Sequence, residues 1–199
     1  MLRRRRTLVG DNPAQVGPLA LVPGLEAWLP GAGELVAGFW SIDGEPDTVK
    51  LLRAMAGRGL TVLLPAPGAS RQAVQWGVVT AASCALPAAR PGSLPEPPPP
   101  HLPASELRRC QLVLVPALAV DRSGTRLGRG GGWYDRALQH AAPSALVLAV
   151  VYPSEVLPAG TLPRENHDQM VDGALTWSGV ELFDMARPTG GPAAPNAVR

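Results

Sequence analysis

Leu112–Val115 is apolar at every position, and Leu60–Leu64 and Ala145–Tyr152 are nearly so. A strand with one wet face alternates apolar and polar residues. Unbroken apolar runs instead fit strands covered on both faces, the usual state of a parallel sheet. Parallel neighbours cannot be joined by tight turns and need crossovers, most often helices. Helix-length stretches duly separate the runs. In Pro46–Gly57, Pro46 stands at an early helical position, Val49, Leu52 and Met55 recur at helical spacing, and Gly57 closes the segment. Trp133–Ala142 is a second predicted helix, and Leu35–Ile42 and Gly173–Trp177 are the first and last predicted strands.

This alternation predicts an α/β fold, a three-layer sandwich with a mostly parallel sheet, Rossmann-like in outline. The 199 residues, 46% of them hydrophobic, suffice for one core, so residues 1–186 are expected to form one domain. Pro87–Pro103, with four consecutive prolines at Pro97–Pro100, predicts a stiff, extended surface loop. Arg187–Arg199, rich in Gly, Pro and Ala, predicts a disordered tail.

Charge and cysteine usage exclude several classes. A formal net charge of +2 implies no polyanionic partner. The one concentrated basic run, Arg3–Arg6, reads as a solvated first helical turn. It lacks the interleaved aromatics of a single-strand binder, so no nucleic-acid partner is expected. Cys84 and Cys110 have neither metal-ligand spacing nor a nearby histidine, which argues against a disulfide framework or zinc site and suits a reducing compartment. Asp11, Asn12, Pro13, Gln15 and Pro18 interrupt any signal-peptide core, and no later stretch reaches membrane-spanning length without Pro or charge. A soluble, cytoplasmic monomer is the expectation.

The chemistry concentrates in Val115–Leu138. There a buried strand is predicted to run into a loop containing Gly124, Gly128, Gly130, Gly131 and Gly132, and then into a helix. Glycines let backbone N–H groups close around an anion, and a helix start favours negative charge. Arg126 and Arg129 flank this cradle and can neutralise phosphate. Asp135, in the first helical turn, can share a magnesium ion with phosphate oxygens. Standard nucleotide signatures are absent, since the spacing is G-x-G-x-G and no G-K-[ST] occurs. A glycine turn alone is most often only a turn. Two arginines and an aspartate beside it shift the balance towards phosphate.

Arg126-Leu127-Gly128-Arg129-Gly130-Gly131-Gly132-Trp133-Tyr134-Asp135 resembles the R-L-G-x-G-x-G-[YW]-Y-D signature of the 5-formyltetrahydrofolate cyclo-ligase family. Pro116–Asp121 resembles that family's lead-in. Gly44-Glu45-Pro46-Asp47-Thr48 resembles its E-x-x-T element, and Leu162–Asp168 through Val171-Asp172 its L-P-x-E-x-H-D…V-D element. The three blocks fall in the family's order between about Val36 and Trp177.

The resemblance implies an ATP- and magnesium-dependent enzyme that closes 5-formyltetrahydrofolate into 5,10-methenyltetrahydrofolate. Arg126, Leu127, Gly128, Arg129, Gly130, Gly131, Gly132, Trp133 and Tyr134 would form the ATP loop. Trp40, Glu45, Arg129, Gly130, Gly131, Gly132 and Trp133 would face the reduced folate. Asp135 and Asp172 would hold magnesium, and Arg129 and Asp135 would be catalytic. His167 and Asp168 would play a supporting part. Taken as bare residues, Glu45 reads equally well as an acid favouring its helix start, and Trp40 reads by default as core packing. The family's N-terminal K-x-x-L-R element is not found ahead of Arg3–Arg6, and the loop lysine common in the family is Gly131 here. Either the natural chain starts upstream or the ATP site is partly open. The rival expectation is a member of the same family that binds folate or nucleotide without turnover.

Overall fold

The computed structural model describes residues 22–42, 44–66, 73–81 and 96–184. The readings of Arg3–Arg6, of Cys84, of the tail and of the proline-rich segment before Glu96 lie outside these residues.

Eleven strands and two α-helices follow one another along the described chain. They are β1 (Leu35–Ala37), α1 (Val49–Gly57), β2 (Thr61–Pro65), β3 (Gln75–Val79), β4 (Leu102–Pro103), β5 (Cys110–Pro116), β6 (Ala119–Asp121), β7 (Arg126–Leu127), α2 (Trp133–Leu138), β8 (Leu146–Val150), β9 (Val156–Leu157), β10 (Gly173–Thr176) and β11 (Gly179–Leu182). Eight strands form one sheet in the order β11-β10-β8-β5-β1-β2-β3-β4. The central five, β10 to β2, pair in parallel, while β11, β3 and β4 close the two sides antiparallel. The expected α/β fold with a mostly parallel sheet is the observed one. A second sheet, β7-β6-β9, lies apart from it.

The apolar runs are covered on both faces. Val36, Val62, Leu64, Leu112, Leu114 and Leu148 belong to one core cluster, where Leu51, Leu52 and Met55 of α1 cover them. Their alternate neighbours Ala37, Leu63, Val113, Val115, Val147 and Ala149 belong to a second cluster with Ala137 and Leu138 of α2. The period of two along each strand thus sends successive side chains to opposite helical layers.

Several predicted boundaries shift, each for a local reason. The strand expected over Leu35–Ile42 ends at Ala37, because the Phe39 carbonyl is taken by the Thr48 hydroxyl at 2.6 Å instead of a ladder partner. The first helix starts at Val49 rather than Pro46, with the Asp47 carboxylate accepting the Val49 N–H at 2.9 Å. The second helix stops at Leu138, short of Ala142. Past Leu138 the His140 N–H bonds to Ala137 O and the Ala141 N–H to Leu138 O, turns of the i→i−3 kind that replace the α-helical ladder. The end of the proline-rich segment is not loop. Leu102–Pro103 forms β4, at an edge where the missing proline N–H costs no ladder bond.

Close packing of α1 on the sheet is enforced at Gly38, where a Cβ would lie 2.6 Å from Leu52 Cδ2. Gly38→Ala should lower the unfolding free energy by about 1–3 kcal/mol through overpacking. Urea denaturation should show that increment shrinking in a Leu52→Ala background. Equal costs in the two backgrounds would mean that Leu52 is not the obstacle.

Candidate functional site

Parallel strands deliver their following loops to one edge of the sheet, so the segments after β1 and β5, which are neighbours, emerge side by side. The β1–α1 segment carries Trp40 and Glu45. Its fold is set by a fully buried threonine. Thr48 Oγ1 donates to Phe39 O and accepts the Ser41 N–H at 3.0 Å, while Ser41 Oγ accepts the Thr48 N–H at 3.2 Å. Tyr152, just past β8, donates its hydroxyl to Gly44 O at 3.1 Å and so holds the same segment from the side. Glu45 Oε2 then accepts the Ile42 N–H at 3.0 Å.

The segment after β5 does not run straight into a glycine loop. It first makes the β6–β7 hairpin, whose turn uses Gly124 at a left-handed φ of 83°. Gly124 therefore serves a turn, and Arg126 and Leu127 stand on a strand. The loop proper is Gly128–Gly132, with Gly130 and Gly132 at positive φ and open space beside Gly130 and Gly131. Helix α2 follows but has only six residues, shorter than the Trp133–Ala142 helix predicted from the sequence.

Asp121 organises this hairpin. Fully buried, its carboxylate accepts the Ser123 N–H and hydroxyl, the Thr125 N–H and, from the late segment, the Leu162 N–H at 2.9 Å. Burial pushes its pKa up, but these donors outweigh burial and hold it below the ordinary carboxylate value.

The two arginines of the signature differ in kind. Arg126 Nη2 meets Asp135 Oδ1 at 2.6 Å, with side-chain exposures of only 5% and 18%. Asp135 Oδ1 also accepts the Gln169 N–H at 3.3 Å. Arg129 is 40% exposed and reaches across to Glu45 Oε1 at 3.0 Å, the glutamate side chain being 7% exposed. That contact brings together the two candidate halves of the site. Trp133 packs edge-on against Trp76 and Tyr134, with centroids 5.1 and 4.9 Å away, and donates its indole N–H to Ala73 O at 2.9 Å. The Tyr134 hydroxyl is buried, and no hydrogen bond to it is found among the described residues. Burial and the Glu45 charge push its pKa upwards against the opposing Arg126, so the phenol stays neutral. Trp40 is half-buried against the α1 core cluster, with the Arg53 guanidinium 5.9 Å above its ring.

Asp172, expected beside Asp135, lies one residue ahead of β10. Its Oδ2 accepts the Val147 N–H at 2.7 Å, and its own N–H donates to Val147 O at 2.8 Å. Val147 is part-way along β8, whereas Glu45 and the glycine loop lie beyond the strand ends. Asp135 and Asp172 thus bind near the two ends of the short segment from Gln169 to Asp172, which spans at most ~10 Å. Among the described residues no group of three or more His, Cys, Asp or Glu side chains could by itself hold a metal. His167 and Asp168 form an exposed polar turn with Glu165. Cys110 is buried, and burial followed by the Glu106 charge pushes its thiol up to about 12, against Arg109, which leaves no thiolate nucleophile there. Thr48, Asp121 and Tyr152 escaped the sequence reading. Two of them stand inside the quoted motifs, but a pattern does not say which donor a side chain meets.

Residues 30–177 match the model of the 5-formyltetrahydrofolate cyclo-ligase family. A 5-formyltetrahydrofolate cyclo-ligase of Mycolicibacterium smegmatis is 43% identical over 159 residues, covering 76% of this chain and 79% of that one. A mitochondrial 5-formyltetrahydrofolate cyclo-ligase of Arabidopsis thaliana is 39% identical over 77 residues, or 35% of this chain and 28% of that one. Among solved structures, the 5,10-methenyltetrahydrofolate synthetase of Aquifex aeolicus superposes with a TM-score of 0.61 at 24% identity, covering 94% of this chain and 87% of that one. That of Mycoplasma pneumoniae superposes with a TM-score of 0.52 at 14% identity, covering 85% and 80%. The superpositions speak for the fold. The family match and the M. smegmatis relative establish membership, and the chain belongs to the 5-formyltetrahydrofolate cyclo-ligase family.

The Asp121 node makes a prediction for acid. A depressed carboxyl contributes stability that is present above its unfolded value, ~3.9, and is lost as the pH falls through the folded value. Asp121→Asn should therefore cost about 2–3 kcal/mol at pH 7, the scale of hydrogen bonds to a charged group. In denaturant titrations the deficit should narrow below about pH 4 as the wild-type carboxyl protonates. A deficit unchanged between pH 7 and pH 3 would contradict the charged, hydrogen-bonded state.

Proposed function

We propose that this member of the cyclo-ligase family converts 5-formyltetrahydrofolate and ATP into 5,10-methenyltetrahydrofolate, ADP and phosphate. The observation that carries the reading is the Glu45–Arg129 contact at 3.0 Å, which joins the carboxylate proposed to face the folate to a loop with open space beside its glycines.

In this scheme the formamide oxygen attacks the ATP γ-phosphorus, the bond to ADP breaks, and the formyl carbon becomes an iminium phosphate. The neighbouring amine nitrogen then attacks that carbon and loses its proton, and phosphate departs with the former formyl oxygen. Such a sequence needs positioning and charge neutralisation rather than a protein nucleophile. Arg129, half-exposed beside Gly130 and Gly131, would be the cation that meets the phosphate chain. Arg126 is better suited to fixing Asp135 than to meeting ligand, because it is nearly buried. Trp40 and Glu45 would take the pterin end, and Trp133 and Tyr134 would wall the loop. A reaction of soluble substrates of this kind suits the cytoplasm. Among the described residues no helix is long and apolar enough to cross a membrane.

Magnesium is part of the proposal. The ion usually needs only one or two carboxylates alongside substrate phosphates, and Asp135, whose bonds to Arg126 and to the Gln169 N–H both fall on Oδ1, could offer Oδ2 to that demand. Asp172 fits it less well, its carboxylate already accepting the Val147 N–H. When bound, the ion would neutralise charge on the phosphate oxygens during transfer.

Formation of the methenyl product, followed by absorbance, should require ATP and 5-formyltetrahydrofolate together. No product under those conditions would refute turnover and leave a binding protein. Asp135→Asn should lower kcat by at least about 100-fold, the order of several kcal/mol of lost transition-state stabilisation. Near-normal turnover at ordinary magnesium concentrations would remove Asp135 from the site.

A further inference from the structure

Thr48 stands at the position that precedes a helix, where a threonine hydroxyl ordinarily accepts an N–H of the first turn. Here it makes no such cap. The neighbouring Asp47 accepts the Val49 N–H instead. The Thr48 hydroxyl is turned the other way, towards the segment that leaves β1. It donates to Phe39 O at 2.6 Å and accepts the Ser41 N–H at 3.0 Å. Those two groups bracket Trp40 on either side. Ser41 returns the contact by accepting the Thr48 N–H on its own hydroxyl at 3.2 Å. One fully buried oxygen therefore fixes the backbone before and after Trp40, within a segment only a few residues long that also carries Glu45.

We infer that Thr48 is a positioning residue for the folate end of the site. Its hydroxyl, withheld from the helix, sets Trp40 and the loop from which Glu45 meets Arg129. This rests on the proposed cyclo-ligase reaction and adds to it a named determinant of folate affinity. A residue with a purely structural role would lower stability and disturb both substrates alike. Thr48 should disturb the folate far more than ATP, since its own contacts lie in the β1–α1 segment and reach the glycine loop only through the Glu45–Arg129 pair.

The test compares Thr48→Val, which keeps the shape and loses the hydroxyl, with Thr48→Ser, which keeps the hydroxyl. Folate and ATP KM values, thermal melting, and direct binding of 5-formyltetrahydrofolate without ATP are measured for each. Thr48→Val should raise the folate KM and the ATP-free folate Kd by ~10-fold, as expected for a lost buried hydrogen bond, with the ATP KM within about twofold of wild type. Thr48→Ser should restore folate affinity to within about threefold. Should Thr48→Val fail to fold, Ser41→Ala removes the reciprocal bond alone and should raise the folate KM about threefold. The inference is overturned by equal rises in both KM values, by a serine variant as impaired as the valine one, or by an unchanged folate KM in the folded variants. If the wild-type protein itself forms no methenyl product, the proposed reaction fails. The ATP-free folate binding of the variants still reads Thr48 in that case.

Discussion

Arg129 crosses from the glycine loop to Glu45, and this ion pair depends on the parallel sheet beneath it. Strands β1 and β5 are neighbours running the same way, so their following segments emerge together, and a short reach between them becomes available. An antiparallel neighbour would send its loop to the far edge. The inequality of the pair matters as much as its length. Glu45 is nearly buried and held by the Ile42 N–H, whereas Arg129 is half-exposed on a loop of glycines. The carboxylate is thus the fixed member and the guanidinium the adaptable one. In the proposed reaction, an arriving phosphate chain would meet an arginine already drawn towards Glu45.

Around that contact the polar groups serve mainly to hold other polar groups in place. Arg126 neutralises Asp135, and separating so buried a pair by losing one partner is far costlier than its net worth when intact. Asp121 ties the β6–β7 hairpin to the late segment through Leu162, while Val171 bonds to Gly124 O. The late segment is therefore anchored to the hairpin that launches the glycine loop. Elements far apart in sequence thus share one frame, which joins two of the three motif blocks.

Much of this was legible in the sequence. The runs Leu112–Val115 and Ala145–Tyr152 announced buried parallel strands because no polar position interrupts them. The signature from Arg126 to Asp135 marked the loop. Strand β3 was not legible. Gln75–Val79 is short, carries Gly77 in its middle and stands at the antiparallel side of the sheet, so it lacks the unbroken apolar run. Strands β6, β7 and β9 are two or three residues long, and their pairing depends on Asp121 rather than on any periodicity. Arg126 and Asp135 were both singled out, but as separate ligands. Their pairing across nine positions is decided by the hairpin, which a one-dimensional pattern does not display. Asp172 was assigned by motif alone, and its bond to Val147 depends on the alignment of β10 with β8.

The central claim is that the β1–α1 segment and the glycine loop form one site through Glu45 and Arg129. A double-mutant cycle of Glu45→Gln and Arg129→Gln, read on kcat/KM for the folate at saturating ATP, addresses it most directly. Residues in contact within one ion pair couple, so the cycle should return an interaction energy above about 1 kcal/mol. Effects that add to within about 0.5 kcal/mol would show the two residues acting independently, and would contradict a single joined site.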